Sequence, residues 1–207
     1  MGICEPQPEY DIPLEEFSAD IGVYVLGRFS GEGNDRNLQK GDFYLTDSEV
    51  KDILYLNENY KKFMLVINSV GVIDLSPVKM FQTKNILSPL GVTGDILADV
   101  ILGKVNPSEK LSTTWALAKD YRYIEESGGI DNVRYIEGVY VGYRYFYSVN
   151  TKPLYPFGFG KSYTNFNNDI LTISNSKDNI SIKLKVDNIG KYFGKEVGQV
   201  YVSPSQE

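Results

Sequence analysis

The spacing of apolar residues divides the chain into two regions. Residues 21–29, IGVYVLGRF, and residues 63–70, FMLVINSV, are apolar on both alternating faces, which is typical of strands buried in a parallel sheet. Between them, DSEVKDILYLNENYKKF has apolar residues at helical spacing and acidic residues in its first turn, so it predicts a helix. Strand, helix and strand joined by short loops indicate an open α/β sheet.

Two further elements follow in the same region. Residues 85–92, NILSPLGV, predict a third strand, although Pro89 inside this segment cannot donate a hydrogen bond to a neighbour. TGDILADVILGK then predicts a helix that is capped by Thr93 and ends at Gly103. Residues 120–159 are rich in Tyr, Gly and Pro and show little periodicity; because aromatic side chains bury large areas, we predict that this stretch is ordered.

From Asp169 the apolar residues recur at every second position. ILTIS, ISIKLKV and VGQVYV predict three strands, separated by NSKDN and NIGKYFGK. A complete immunoglobulin-like sandwich has about seven strands in roughly 100 residues, and fewer residues than that remain. We therefore expect an α/β domain at residues 1–166 and part of an all-β domain at residues 167–207.

Composition limits the kinds of partner, metal site and catalytic site that the chain can have. Lys and Arg total 21 against 27 Asp and Glu, and the net charge of −6 argues against nucleic acid or an anionic membrane as a partner. The chain has one cysteine, Cys4, and no histidine, which excludes cysteine-ligated clusters, histidine triads and most zinc sites. With no signal peptide and no run of about 18 apolar residues, we expect a cytoplasmic protein, although Met1 need not be the start of the parent protein.

The segment FSGEGNDR, residues 29–36, follows the first predicted strand, and loops at the carboxyl ends of strands bind ligands in open α/β sheets. Two glycines leave Glu32 projecting from this loop. In one interpretation Glu32 only forms an ion pair with Arg28 or Arg36. A phosphate-binding loop is disfavoured, because the segment lacks the third glycine of a dinucleotide motif and carries a negative charge where the phosphates would lie.

Five segments occur along the chain in a characteristic order: RFSGEGNDR, GKVNPSEKLSTTW, YIEGVYVGYRYF, YPFGFGKSYTNF and VDNIGKYFGKEVGQVYVSP. In order and spacing they resemble the C-terminal part of glycoside hydrolase family 3, the β-glucosidase and β-xylosidase family. The resemblance runs from Ala19 to the end of the chain. It implies an open, mainly parallel sheet sandwiched by helices, followed by a truncated fibronectin type III-like segment. The (β/α)₈ barrel of the family needs about 250 residues and does not fit before Ile21.

The resemblance also implies roles for single residues. Glu32 corresponds to the general acid/base of a retaining β-glycosidase that hydrolyses terminal, non-reducing β-D-glucosyl or related residues. Arg28, Asp35 and Arg36 share its motif and are candidates for substrate binding. The implied partner is a β-linked saccharide or glycoside, and no metal or cofactor is implied.

The nucleophile of the family is an aspartate of the barrel, and no segment of this chain resembles it. We therefore expect a fragment or split-gene product that is inactive without a barrel domain or subunit in trans. An exposed glutamate with a pKa near 4.3 is protonated only about 0.2% of the time at neutral pH, and the neighbouring Arg28 and Arg36 favour the ionised form of Glu32. A second hypothesis is a non-catalytic sugar-binding or assembly module whose tail docks a partner.

Overall fold

The computed structural model describes residues 19–28, 36–78, 86–87, 94–121, 132 and 134–202. The chain divides into two compact units. The sheet unit comprises residues 1–93 and 116–122, and the hairpin unit comprises residues 94–115 and 123–207. None of the helices within the described ranges is both long enough and apolar enough to cross a membrane.

The sheet unit is built on three parallel strands in the order β1-β2-β3. Strand β1 spans Ile21–Gly27, β2 spans Lys62–Asn68 and β3 spans Ile86–Leu87. The helix α1, Asp47–Asn59, connects β1 to β2 and packs against both strands. The α/β architecture with an open parallel sheet, predicted from the apolar pattern, is therefore confirmed.

The core of the sheet unit is centred on β2. Leu65, Val66 and Ile67 are at most 1% exposed, so β2 is buried on both faces, as its continuous apolar run predicted. From α1, Ile53 and Leu56 pack into this core. The other buried apolar side chains among the described residues of the unit are Leu26, Phe43, Leu45, Phe63, Ile73, Leu75, Val78 and Ala116.

Strand β1 differs from its prediction. Leu26 is buried, but Ile21, Val23 and Val25 are 45% to 59% exposed, so the strand is covered on one face only. Among the described strands β1 pairs with β2 alone. The prediction of burial on both faces was wrong because an apolar pattern shows which faces can be buried, not what covers them.

The hairpin unit begins with the helix α2, Gly94–Ile101. This helix was predicted, and Gly103 follows it with a φ of +73°, a left-handed conformation that glycine adopts without strain. Its predicted cap, Thr93, lies outside the described residues. No side chain of α2 is buried, so its apolar face keeps part of its exposure to solvent.

Aromatic side chains form the core of the hairpin unit. Trp115 and Tyr155 exchange two backbone hydrogen bonds, of 2.8 and 2.9 Å, and their rings meet edge to face. The short helix α3, Tyr143–Ser148, buries Phe146. Of residues 120–159, which were predicted to be ordered, residues 122–131 and 133 lie outside the described residues.

Strands β4, Phe166–Asn175, and β5, Ile180–Asn188, form an antiparallel hairpin. Two of the three strands predicted from the alternating pattern are thus confirmed. The third, VGQVYV at residues 197–202, is wrong, because the structure gives these residues no strand pairing. The identity of this region as a fibronectin type III-like domain, and the boundary after residue 166, stay predictions.

The segment after β5 is held by hydrogen bonds to residues that precede the hairpin. Asn106 Nδ2 donates to the carbonyl of Phe193 at 3.0 Å, and the backbone N–H of Lys195 donates to Ser108 Oγ at 3.0 Å. Side-chain hydrogen bonds, not a sheet, therefore fix this part of the tail within its unit.

Candidate active site

The candidate site lies at the edge of the parallel sheet where β1 and β2 both end. The strand register places Gly27 opposite Asn68, and the Arg28 N–H donates to the Asn68 carbonyl at 3.0 Å. The carboxyl edge of an open α/β sheet is its usual ligand-binding edge. Arg28, which directly precedes residues 29–35 in the sequence, therefore lies at this edge.

Glu32, the predicted acid/base, and Asp35, a predicted substrate ligand, lie outside the described residues, and both roles stay predictions. Arg28 and Arg36, which flank the segment 29–35, are described, and the structure shows what each guanidinium binds. These two arginines therefore show how the chain enters and leaves the segment.

Arg28 is 8% exposed, and its guanidinium is surrounded by acceptors. Nη1 and Nη2 bind the two carboxylate oxygens of Glu49, each at 2.6 Å. Nε donates to the Asp42 carbonyl at 2.8 Å, Nη1 also donates to the Gly27 carbonyl at 2.8 Å, and Nη2 faces the Tyr44 carbonyl at 3.5 Å. Because a guanidinium has five N–H donors, Arg28 could bind a sugar only by releasing one of these acceptors.

Glu49 is held from two sides. Its Oε2 accepts a hydrogen bond from the Thr46 backbone N–H at 2.8 Å, and the Thr46 hydroxyl accepts one from the Glu49 N–H at 3.1 Å. This reciprocal pair is a capping box, which satisfies backbone donors that the first turn of α1 leaves without helical partners. One carboxylate thus both caps α1 and binds Arg28.

Arg36 joins the same cluster from the other end of the segment 29–35. Nε binds Asp42 Oδ1 at 2.6 Å, Nη2 donates to the Asp42 carbonyl at 2.7 Å, and Nη1 donates to the Val72 carbonyl at 2.7 Å. Gly71 leaves the room for this approach, since a Cβ atom there would lie 2.7 Å from Nη1. Arg36 therefore ties the end of the segment to the residues that follow β2.

Asp42, which is 4% exposed, connects the two arginines. Its carbonyl oxygen accepts from both Arg28 Nε and Arg36 Nη2, and its Oδ2 accepts from the Asn37 backbone N–H at 2.6 Å. The guanidinium groups of Arg28 and Arg36, which flank the segment 29–35, therefore bind the same oxygen atom. We call Arg28, Arg36, Asp42 and Glu49 the clasp; its two cations and two anions sum to zero charge.

The clasp changes the influence that we expect Arg28 and Arg36 to have on the ionisation of Glu32. The sequence suggested that Arg28 and Arg36 hold Glu32 ionised, but each arginine forms a salt bridge with a carboxylate of the clasp, at 2.6 Å in both cases. Asp42 and Glu49 were not predicted as part of the site. The T-x-x-E pattern that ends at Glu49 was a visible signal for the capping box, whereas Asp42 has no local signature.

The hairpin unit contains a separate cleft of about 370 Å³. Lys110 Nζ binds Glu196 at 3.0 Å and the Gly160 carbonyl at 3.3 Å. Partial burial raises the pKa of the Glu196 carboxyl, but hydrogen bonds from Lys110 and the Val197 backbone, with the charge of Lys110, outweigh it and lower that pKa. The lining residues are Lys110, Gly160, Lys161, Ser162, Thr164, Asn165, Phe166 and Glu196.

Neither the clasp nor this cleft has the composition of a metal centre. Across the ranges that the structure describes, no three His, Cys, Asp or Glu side chains come together to form one. The charged groups at the sheet edge are instead arranged as arginine–carboxylate pairs.

Comparison with known proteins relates the chain to one family. The sequence profile described as "Glycosyl hydrolase family 3 C-terminal domain" matches residues 15–163. Beta-glucosidase A of Butyrivibrio fibrisolvens is 36% identical over 251 aligned residues, which cover 99% of this chain and 30% of that protein. A beta-glucosidase of Ruminococcus albus is 32% identical, covering 96% of this chain and 22% of that protein. The chain therefore spans less than a third of the length of these relatives.

Solved structures give the same result. Beta-glucosidase 3B from Thermotoga neapolitana, in complex with α-D-glucose, matches with a TM-score of 0.73 at 34% identity, covering 84% of this chain and 26% of that chain. A beta-glucosidase from Paenibacillus barengoltzii matches with a TM-score of 0.75 at 28% identity, covering 84% and 20%. These matches confirm the resemblance that rested on five sequence segments, and with it the α/β fold.

Proposed function

Because this chain belongs to glycosyl hydrolase family 3, whose C-terminal domain it carries, we propose that it supplies the general acid/base of a retaining β-glucosidase. The proposed substrates are terminal, non-reducing β-D-glucosyl or related residues. Relatives that match nearly the whole chain are beta-glucosidases, and one structural relative was solved with α-D-glucose, which supports this substrate class.

The geometry at the sheet edge carries the proposal. In a family 3 domain, Glu32 belongs to a segment whose two flanking arginines are held on the carbonyl oxygen of Asp42. Arg28, which precedes this segment in the sequence, lies at the carboxyl edge of the parallel sheet, where such folds bind ligands. The two arginines that flank Glu32 in the sequence are thus bound to buried acceptors at this edge, which supports a role for Glu32 there.

The proposed chemistry needs two carboxyl groups about 5 to 5.5 Å apart. One attacks the anomeric carbon, and the other first protonates the leaving oxygen and then activates water. We assign the second role to Glu32 and the first to a part of the parent enzyme outside these 207 residues. No metal or cofactor takes part in this mechanism.

A chimera tests the proposal. The 207 residues replace the matching segment of Butyrivibrio fibrisolvens beta-glucosidase A, which supplies the remainder of the enzyme. We expect the chimera to hydrolyse aryl β-glucosides, and the isolated 207-residue chain not to. The matched control is the same chimera carrying Glu32→Gln.

Two outcomes would contradict the proposal. Turnover by the isolated chain that Glu32→Gln abolishes would mean that the chain carries its own nucleophile. A chimera that folds, judged by circular dichroism, but has the same activity with and without Glu32→Gln would favour a non-catalytic sugar-binding or assembly module.

A further inference from the structure

Asp42 and Glu49 carry two negative charges that the proposed chemistry does not use. Asp42 is buried, and the Glu49 side chain is 13% exposed. Replacing a buried ion pair by apolar residues of similar volume is often neutral or stabilising, because charged groups lose their hydration on burial. Stability alone therefore does not account for the four charged groups of the clasp.

We propose that Asp42 and Glu49 are positioning residues for the general acid/base and that they act through Arg28 and Arg36. This inference rests on the role proposed above for Glu32. Arg28 directly precedes the segment 29–35 and Arg36 directly follows it, so any contact that fixes these two arginines fixes both ends of the segment. Neither carboxylate needs to touch the substrate to act in this way.

Asp42 acts at both ends of the segment. Its carbonyl oxygen receives Arg28 Nε at 2.8 Å and Arg36 Nη2 at 2.7 Å, and its Oδ1 receives Arg36 Nε at 2.6 Å. Asp42 therefore binds the arginine on each side of the segment. A catalytic group has to stay within about 0.5 Å of its productive position. We therefore expect the contacts that fix the two flanking arginines to affect catalysis.

Glu49 acts at the first end and links it to α1. Each of its oxygens binds one arm of the Arg28 guanidinium at 2.6 Å, and Oε2 also accepts the Thr46 N–H. Such a two-armed pair fixes the orientation of the guanidinium as well as its distance. The start of a helix and the exit of a strand are thereby joined, and both are firmer supports than a loop.

The test uses the chimera and three variants. Glu49→Gln keeps the length of the side chain and can still form a capping box, but its amide nitrogen would face one donor of Arg28. Gly71→Ala changes no charge and places a methyl group 2.7 Å from Arg36 Nη1. Thr46→Ala is the matched control, because it removes a hydrogen bond from the same cap and leaves the Arg28–Glu49 pair in place.

We expect Glu49→Gln and Gly71→Ala to lower kcat for alkyl β-glucosides by about 10- to 100-fold, because misplacing a reacting group by about 1 Å can cost about 100-fold in rate. Activated aryl glucosides, which need little protonation to leave, should lose less, and KM should not change. Thr46→Ala should keep the ratio of alkyl to aryl rates.

Glu49→Gln can also unfold the unit, because it leaves a buried guanidinium without its carboxylate. In that case the ratio of alkyl to aryl rates in Gly71→Ala tests the positioning role.

Failure of this inference differs from failure of the proposed function. If Glu32→Gln lowers alkyl rates selectively but Gly71→Ala lowers alkyl and aryl rates equally, the positioning role is wrong and the proposed function stands. The same holds if Thr46→Ala produces the selective loss, since helix stability would then explain it. If Glu32→Gln has no selective effect, both proposals fail.

Discussion

In the sheet unit the central strand β2 is buried on both faces, whereas in the hairpin unit both strands expose apolar side chains. Ile67 of β2 is 0% exposed, but Ile170 and Ile173 of β4 are each 63% exposed, and Ile180 of β5 is 54% exposed. An isolated two-stranded ladder is only marginally stable in water. The sheet unit thus buries its central strand with its own residues, and the hairpin gains little from burial.

The same contrast separates the buried polar groups. Those of the sheet unit include Arg28, Asp42 and Asp74, whereas among the described residues of the hairpin unit they are the hydroxyl side chains of Thr114 and Thr164. Charged groups keep a fixed geometry when a packed core surrounds them and hydrogen bonds satisfy them. The buried charged side chains that the structure describes therefore all lie in the sheet unit.

The largest expected effect comes from making one substitution in both units. Ile67→Ala should lower the free energy of unfolding by about 2 to 5 kcal/mol, because it leaves a cavity in a packed core. Ile173→Ala, on an exposed face of β4, should change it by less than about 0.5 kcal/mol. Urea denaturation followed by circular dichroism measures both. Equal losses would mean that the hairpin is covered in solution.

A smaller effect concerns high pH and the sheet unit. Burial, and then the charges of Glu49 and Asp52, raise the pKa of Tyr24 from 10.0 to about 12, although Arg28 lowers it. Since the folded pKa lies above the unfolded one, this contribution to stability is complete below pH 10 and is lost as the pH rises toward about 12. Tyr24→Phe should lose less stability over this pH range. The measurement is the free energy of unfolding of both proteins as a function of pH. If its pH dependence is unchanged in the variant, other groups cause the loss.

The smallest effect concerns low pH and the hairpin unit. The pKa of Glu196 lies below its ordinary value of 4.5, so the contribution of its pair with Lys110 is present above that value and is lost as the pH falls through the folded pKa. Glu196→Gln should remove less than about 1 kcal/mol near neutral pH and flatten the acid side of the stability curve. A variant that retains the full acid dependence would show that the pair contributes nothing.

The sequence predicted elements whose signal is local. The apolar pattern identified β1, α1, β2 and α2, and Gly103 marked the end of α2. The apolar pattern failed where the formation of a strand depends on a partner that is distant in the sequence. The run at residues 197–202 has a strand pattern but no pairing in the structure, and its neighbourhood is held by Asn106 and Ser108 instead.

In the candidate site, too, the sequence predicted what depends on a local motif and missed partners that are distant along the chain. The SGEG motif pointed to Glu32, and the comparisons confirm the family to which that motif belongs. Asp42 and Glu49 could not be predicted as partners of Arg28, because they lie 14 and 21 positions along the chain from it. A buried arginine such as Arg28 does require a buried acceptor, but the sequence does not show which carboxylate provides it.

The most direct test of the account is the leaving-group dependence of the Glu32→Ala chimera. If Glu32 is the general acid/base, hydrolysis of alkyl β-glucosides should fall by about 10²- to 10⁴-fold, the usual contribution of general acid catalysis. Activated aryl glucosides should lose less in glycosylation, and added azide should restore turnover by replacing the step that activates water. Equal losses for both kinds of substrate, with no rescue by azide, would mean that Glu32 has only a structural role and that the acid lies elsewhere.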